Sequence, residues 1–83
     1  MRYIAKIEVS LKPGHIDPEG ETTRKSLAEL GYPVASVNVS KVYRIGLEAK
    51  SLDEARRMVD EMCRRLLANP VKDNYKIEVE ELK

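Results

Sequence analysis

The stretch Leu66-Leu67-Ala68-Asn69-Pro70-Val71 decides where a helix of this chain ends and its last strand begins. Residues 52–67 carry apolar side chains at helical spacing. Pro70 has no N–H to donate, and its ring pushes Asn69 out of the α-helical region. The helix therefore ends before Pro70, and residues 71–75 lead the chain into a strand. The sequence of this stretch leaves open whether residues 66–71 only end the helix or also contact a partner.

The composition indicates one small domain, residues 1–83, with balanced charge. The chain has 15 basic and 14 acidic residues, which argues against a nucleic-acid partner because phosphates require a basic face. No apolar stretch approaches the roughly 18 residues of a membrane-spanning helix, and no signal-peptide block opens the chain. The single cysteine, Cys63, has no internal disulfide partner, so we expect a cytoplasmic protein without membrane contact.

Three segments alternate apolar and polar residues and therefore predict strands. The first covers residues 3–11, and the last covers about 75–80. In the middle segment, nearly all apolar residues of 36–49 fall on odd positions, and no Asn-Gly or Asp-Gly pair is present to turn a hairpin. We therefore expect one long strand over 36–49, bent near Ser40-Lys41, with excess length that is free to pair with another subunit.

Two segments carry helix-capping signals. Asp17-Pro18 opens the first helix, because aspartate is a good N-cap and proline suits the first helical position, and Gly31 ends it. Ser51 begins the second helix with a capping box, and that helix runs to about Leu67. The apolar stripe of the first helix is thin, whereas that of the second is broad. The broad stripe consists of Leu52, Ala55, Met58, Val59, Met62, Cys63 and Leu66.

The order strand, helix, long strand, helix, strand predicts an α+β domain of two layers. Both helices are expected to cover one face of a mainly antiparallel sheet, and the long strand counts as two if it bends enough. The opposite sheet face mixes charged residues with Ile4 and Val42, which fits a second subunit covering it. Because a chain of this size also gains stability from association, we expect a homodimer or a higher homo-oligomer.

The residues that carry chemistry do not form a catalytic set. His15, the only histidine, precedes the Asp17 cap and is expected to be a solvated loop residue. Cys63 lies beside two arginines, which favour a thiolate, but it flanks the apolar stripe and is expected to be buried and inert. One histidine and one cysteine do not support a four-ligand zinc site, and no glycine-rich phosphate loop is present.

Asp17 and Asn69 are polar residues beside prolines, and their positions at the start and end of helices explain both of them locally. This does not explain Gly20, because glycine inside a helix costs about 1 kcal/mol relative to alanine. A glycine at this position indicates close approach by backbone or by a partner. The residues alone leave open whether these positions have only a structural role or also a functional one.

Two motifs resemble those of a known family in their order and spacing. Asp17-Pro18-Glu19-Gly20 and Leu66-Leu67-Ala68-Asn69-Pro70-Val71, with Lys41-Val42-Tyr43 between them and Tyr75 after them, resemble the PurS family. PurS is the small subunit of phosphoribosylformylglycinamidine (FGAM) synthase. The resemblance covers nearly the whole chain. It departs at Glu19, where many relatives have glutamine, and in the apolar character of Val42-Tyr43.

This resemblance implies a non-catalytic subunit of an enzyme of de novo purine synthesis. The complete enzyme converts formylglycinamide ribonucleotide (FGAR), glutamine and ATP to FGAM, glutamate, ADP and phosphate. A PurL-type synthetase subunit uses ATP and Mg²⁺, a PurQ-type glutaminase subunit consumes glutamine, and the small subunit holds no cofactor. PurS-like dimers bring the two large subunits together and help ammonia to pass between them.

The resemblance and the local motifs together suggest which residues contact partners. The expected interface residues are Asp17, Pro18, Gly20, Lys41, Tyr43, Asn69, Pro70, Val71 and Tyr75. The alternative function is a small ferredoxin-like regulatory module that binds a metabolite. A small hydrolase of the acylphosphatase type is disfavoured, because it needs a glycine-rich anion loop with arginine.

Overall fold

Three strands and two helices alternate along the chain, and the computed structural model describes all of it, residues 1–83. In chain order the elements are β1 (Arg2–Leu11), α1 (Pro18–Glu29), β2 (Lys41–Glu48), α2 (Leu52–Met62) with a π-helical turn (Cys63–Leu67), and β3 (Asp73–Glu81). β1 is the central strand, and both of its neighbours run antiparallel to it in the order β2-β1-β3. The predicted α+β class with an antiparallel sheet is confirmed.

The core lies between one face of the sheet and α2. Alternation along β1 and a four-residue spacing along α2 place apolar side chains on facing surfaces. These buried residues are Tyr3, Ala5, Ile7, Val9, Ala55, Val59 and Cys63. Half-buried apolar side chains of β2 and β3 extend the same layer. The predicted inward face of β1 is therefore confirmed, as is the burial of Cys63.

Helix α1 follows its predicted boundaries but packs little. Asp17 is its N-cap, Pro18 is its first residue, and Gly31 beyond its end adopts a φ of +95°. Its thin apolar stripe buries no side chain, since Leu30 is 74% exposed and Gly20 is the only buried residue of the helix. Only α2 packs extensively against the sheet. Helix α1, which the sequence predicts on the same face, makes little contact with the sheet in the single chain. Both helices are too short and too polar to cross a membrane.

The prediction of one strand over residues 36–49 is wrong, because the strand begins only at Lys41. Pairing with β1 ends where Val9 faces Lys41. Residues before that point leave the sheet, and the Val39 N–H is bonded to the side chain of Asp17 instead of to a neighbouring strand. Within the paired part the predicted faces are confirmed, since Tyr43, Ile45 and Leu47 pack against the core.

The end of the second helix also differs from the prediction. The helical segment reaches Leu67 as expected, but its last five residues form a π-helical turn, with the Ala68 N–H bonded to the Cys63 carbonyl oxygen at 2.9 Å. This turn takes up one more residue than an α-helical turn and rotates the residues that follow Cys63. Placing Leu66 in the buried stripe is therefore wrong: its side chain is 84% exposed, and Leu67 packs against the core instead.

Candidate functional site

Asp17 links the start of α1 to the segment that precedes β2. Its Oδ1 accepts a hydrogen bond from the Gly20 N–H at 2.8 Å, and its Oδ2 accepts one from the Val39 N–H at 2.8 Å. These two bonds, the one from Val39 first, hold the pKa of Asp17 below its ordinary value because they favour the ionised carboxylate. We call Asp17, Gly20 and residues 37–39 the clasp.

The clasp explains the glycine in the first turn of α1. A Cβ atom built on Gly20 would lie 2.2 Å from the carbonyl oxygen of Val37 and 2.9 Å from Asp17 Oδ2. Real Cβ atoms do not approach backbone oxygen this closely. Residues 37–39 could therefore not pass this close to any residue other than glycine. The close approach expected at Gly20 is therefore made by the backbone of this chain.

Asn69 organises the turn that connects the π-helical turn to β3. Its side-chain Oδ1 accepts hydrogen bonds from the Val71 N–H at 2.8 Å and from the Lys72 N–H at 3.3 Å. Its own N–H donates to Oδ2 of Asp73 at 2.8 Å. Asparagine is suited to this task because its short amide reaches the backbone two residues ahead. We call residues 66–72 the junction.

The junction is also tied to the end of β1. The Lys12 Nζ donates to the Pro70 carbonyl oxygen at 2.9 Å, and the Lys12 N–H donates to the Lys72 carbonyl oxygen at 2.7 Å. Pro70 therefore serves as more than a helix stop, because its carbonyl group accepts a bond from another element. Sequence reasoning missed Lys12, since no local spacing connects it to a residue so far along the chain.

The π-helical turn is held to β3 by a small polar network. The Tyr75 hydroxyl donates to Asp60 Oδ1 at 2.7 Å, and Arg64 Nε donates to Asp60 Oδ2 at 2.8 Å. The bond from Tyr75 and the charge of Arg64 lower the pKa of Asp60, while the same bond to Asp60 raises the pKa of Tyr75. The i,i+4 spacing of Asp60 and Arg64 predicts their pairing, but nothing in the sequence indicates Tyr75 as the third member.

The nine expected interface residues gather toward one end of the sheet but differ in exposure. A shallow cleft of about 180 Å³ is lined by Asp17, Lys41 and Lys72 among others, so the clasp, the start of β2 and the junction are neighbours. Gly20 is buried, and the side chains of Tyr43 and Tyr75 pack against the core. The members exposed on the surface are Pro18, Lys41, Asn69, Pro70 and Val71.

The two most reactive side chains, His15 and Cys63, lie in different parts of the molecule. His15 is exposed in the loop before α1, as predicted, and Cys63 is fully buried in the core. Burial, and secondarily the charge of Asp60, raises the pKa of the Cys63 thiol, which disfavours a reactive thiolate. No group of three or more histidine, cysteine, aspartate or glutamate side chains is arranged to hold a metal ion.

Comparison with known proteins gives a consistent family assignment. Residues 4–81 match the PurS family, described as phosphoribosylformylglycinamidine (FGAM) synthase. The chain is 51% identical over 75 residues to the synthase subunit PurS of Archaeoglobus fulgidus, covering 89% of this chain and 94% of that protein. Among solved structures, PurS of Thermus thermophilus is 40% identical and covers 100% of both chains with a TM-score of 0.87.

A second solved structure contains the family member within a larger assembly. A chain of the PurLQS structure from Thermotoga maritima is 30% identical to this one, covers 96% of this chain and 99% of its own, and has a TM-score of 0.86. The family match over residues 4–81 includes residues of every helix and strand described above. The chain therefore belongs to the PurS family of FGAM synthase subunits.

Proposed function

We propose that this chain is a non-catalytic accessory subunit of an FGAM synthase complex in purine biosynthesis. In that complex it bridges a PurL-type synthetase and a PurQ-type glutaminase and aids the transfer of ammonia between them. ATP and Mg²⁺ are used by the synthetase subunit, not by this chain. The observation that carries the proposal is the end-to-end match to PurS proteins, one of which is part of a PurLQS structure.

The placement of reactive groups supports an accessory role. The Cys63 thiol is sealed in the core, and His15 stands in a solvated loop without a hydrogen-bonded partner that would make it a base. A subunit that only assembles others needs no convergent acid, base and nucleophile of the kind that catalysis requires. The free buried thiol also fits a reducing compartment, and we place the chain in the cytoplasm.

The alternative, a regulatory module that binds a metabolite, finds little support in the surface. A cleft of about 300 Å³ lies between the loop after β1 and residues 38–40. Ligand pockets are mostly apolar with a few polar groups, whereas only two of the ten residues that line this cleft are hydrophobic. The cleft therefore lacks the hydrophobic and aromatic side chains that usually surround a bound small molecule.

A second copy of the chain is the partner that best fits the outer face of the sheet. That face carries no helix, and its apolar members Ile4 and Val42 remain partly accessible, Val42 at 50%. Gly46 lies beside Ile4 on the same face, and a Cβ atom built on Gly46 meets nothing within 4 Å. A strand glycine that the single chain does not need marks close approach by another surface.

We propose a twofold arrangement of the two copies that pairs charges across this face. Across the sheet, Lys6 lies between Arg44 of β2 and Glu78 of β3. A copy related by a twofold axis parallel to the strands places its β2 over β3 of the first. Arg44 of each copy then faces Glu78 of the other, and Ile4 and Val42 are buried. These two ion pairs offset the repulsion at the axis, where Lys6 and Glu8 of the central strand each face the same residue of the other copy.

Assembly with the large subunits tests the proposal. The chain is mixed with the PurL-type and PurQ-type proteins of the same organism, together with glutamine, ATP and Mg²⁺, and masses are measured by light scattering during gel filtration. We expect one particle that contains all three proteins, and no such particle when this chain is omitted. A mixture in which the two large subunits associate equally well without it, or in which it elutes alone, would overturn the proposal.

A further inference from the structure

Leu66 is an exposed leucine within a helical segment, and its exposure is imposed by backbone geometry. Seven residues after buried Val59, it would lie on the buried face of a continuous α-helix. The π-helical turn breaks that register, so Leu67 and Ala68 take up the inward positions and Leu66 is 84% exposed.

The orientation of Leu66 is fixed by the contacts around it. Asp60, in the last turn of α2, is bonded to Tyr75 of β3 and to Arg64, and Cys63, the first residue of the π-helical turn, is fully buried. These contacts anchor the π-helical turn to both α2 and β3. Leu66 therefore projects from a held segment, which lowers the entropy that a partner must remove on binding.

Val71 is the second large apolar side chain exposed in the junction. It is 75% exposed, and its N–H is bonded to the Asn69 side chain at 2.8 Å. The Lys12 Nζ holds the neighbouring Pro70 carbonyl group from the other side. The junction thus presents two apolar side chains from a turn that its own hydrogen bonds and β1 keep in shape.

Basic residues outnumber acidic ones around these side chains. Residues 64–73 contain Arg64, Arg65 and Lys72 and one acidic residue, Asp73, whose carboxylate accepts a hydrogen bond from the Asn69 N–H. The whole chain has a net charge of only +1. Arg64 is paired with Asp60, but Arg65 and Lys72 are exposed and make no ion pair within the chain. A surface that fits this patch carries carboxylates around an apolar pocket.

We propose that Leu66 and Val71 are apolar anchors for a large subunit of the synthase complex, whose contact surface is an apolar pocket rimmed by carboxylates. Arg65 and Lys72 pair with that rim. The inference rests on the proposed function, because it takes the partner from the FGAM synthase complex. It assigns the helix-ending junction an interaction of its own, separate from the outer sheet face that a second copy covers.

Two matched leucine variants test this inference. Leu66→Gln and Leu30→Gln each remove an exposed leucine, 84% and 74% exposed respectively, and Leu30 lies at the end of α1. Binding of each variant to the PurL-type and the PurQ-type protein is measured separately by calorimetry at two salt concentrations. We expect Leu66→Gln to weaken binding to one large subunit about tenfold or more, with Leu30→Gln within about twofold of the parent. Thermal unfolding and the homo-oligomer mass should stay unchanged in both variants.

The outcomes separate this inference from the proposed function. Equal binding of the parent chain and Leu66→Gln to both large subunits would overturn the docking site while leaving the accessory role intact. Dissociation of the homo-oligomer by Leu66→Gln would assign the junction to a second copy and also overturn it. A parent chain that binds neither large subunit would instead refute the proposed function. Arg65→Glu should likewise weaken binding, and more strongly at low salt than at high salt.

Discussion

Replacing Gly20 with alanine is expected to destabilise the folded chain by about 3 kcal/mol, near the upper end of the cost of overpacking. The added Cβ atom would lie 2.2 Å from the Val37 carbonyl oxygen, so the backbone of the clasp must separate. Alanine gains about 1 kcal/mol over glycine from helix propensity, which offsets only part of this cost. A domain of 83 residues has a total stability of roughly 4–12 kcal/mol, so the loss is a large fraction.

Urea unfolding followed by circular dichroism measures this effect. Ser26→Ala is the matched control, because Ser26 is exposed in the middle of the same helix and alanine is the better helix former there. We expect the control to retain or slightly raise the stability. If Gly20→Ala were as stable as the parent chain, the clasp would not constrain residues 37–39 as the structure indicates.

Reversing the charge of Arg44 or Glu78 is expected to weaken self-association about ten- to hundredfold. In the proposed dimer these residues face each other twice, because a twofold axis repeats every contact. Arg44→Glu or Glu78→Arg therefore converts two attractions into two repulsions. The double variant restores opposite charges and should recover most of the affinity, which a general loss of stability would not produce.

Sedimentation equilibrium over a range of protein concentrations measures this self-association. The parent chain should have twice the 9.5 kDa mass of one chain, or a higher multiple of it. Glu29→Arg, a reversal at an exposed position of α1, controls for the change in net charge. A parent chain that remains monomeric, or single reversals that associate as well as the parent, would rule out this use of the outer sheet face.

Much of the fold is local and could be predicted from the sequence. The alternation of β1, the Asp17 cap with Pro18 after it, and the Ser51 cap each depend on neighbouring residues, and all three occur as expected. The sequence also indicates the thin apolar stripe of α1, which explains why that helix buries only Gly20. These features need no information about distant parts of the chain.

The errors arise where a distant group decides the local structure. Residues 36–40 alternate like a strand, but the Asp17 carboxylate, 22 residues before Val39 in the chain, takes the Val39 N–H. The π-helical turn is likewise held by Tyr75, which the periodicity of α2 does not include. Both pairings require the assembled sheet and cannot be derived from spacing alone.

The use of the nine candidate residues as an interface stays a prediction. The junction residues Asn69, Pro70 and Val71 are exposed and ordered by hydrogen bonds, as a contact surface requires. Asp17 and Gly20 have a structural task in the clasp that accounts for their motif, and Gly20 is buried away from any partner. Leu66 was not expected at the surface, because its exposure depends on the π-helical turn.

Glutamine-dependent FGAM formation by the reconstituted complex tests the central claim most directly. The PurL-type and PurQ-type subunits are assayed with FGAR, ATP and Mg²⁺, with and without this chain, and with either glutamine or an ammonium salt as the nitrogen source. A subunit that couples the two large subunits should raise the glutamine-dependent rate about tenfold or more and change the ammonium-dependent rate much less. A glutamine-dependent rate that is the same without the chain would contradict the account.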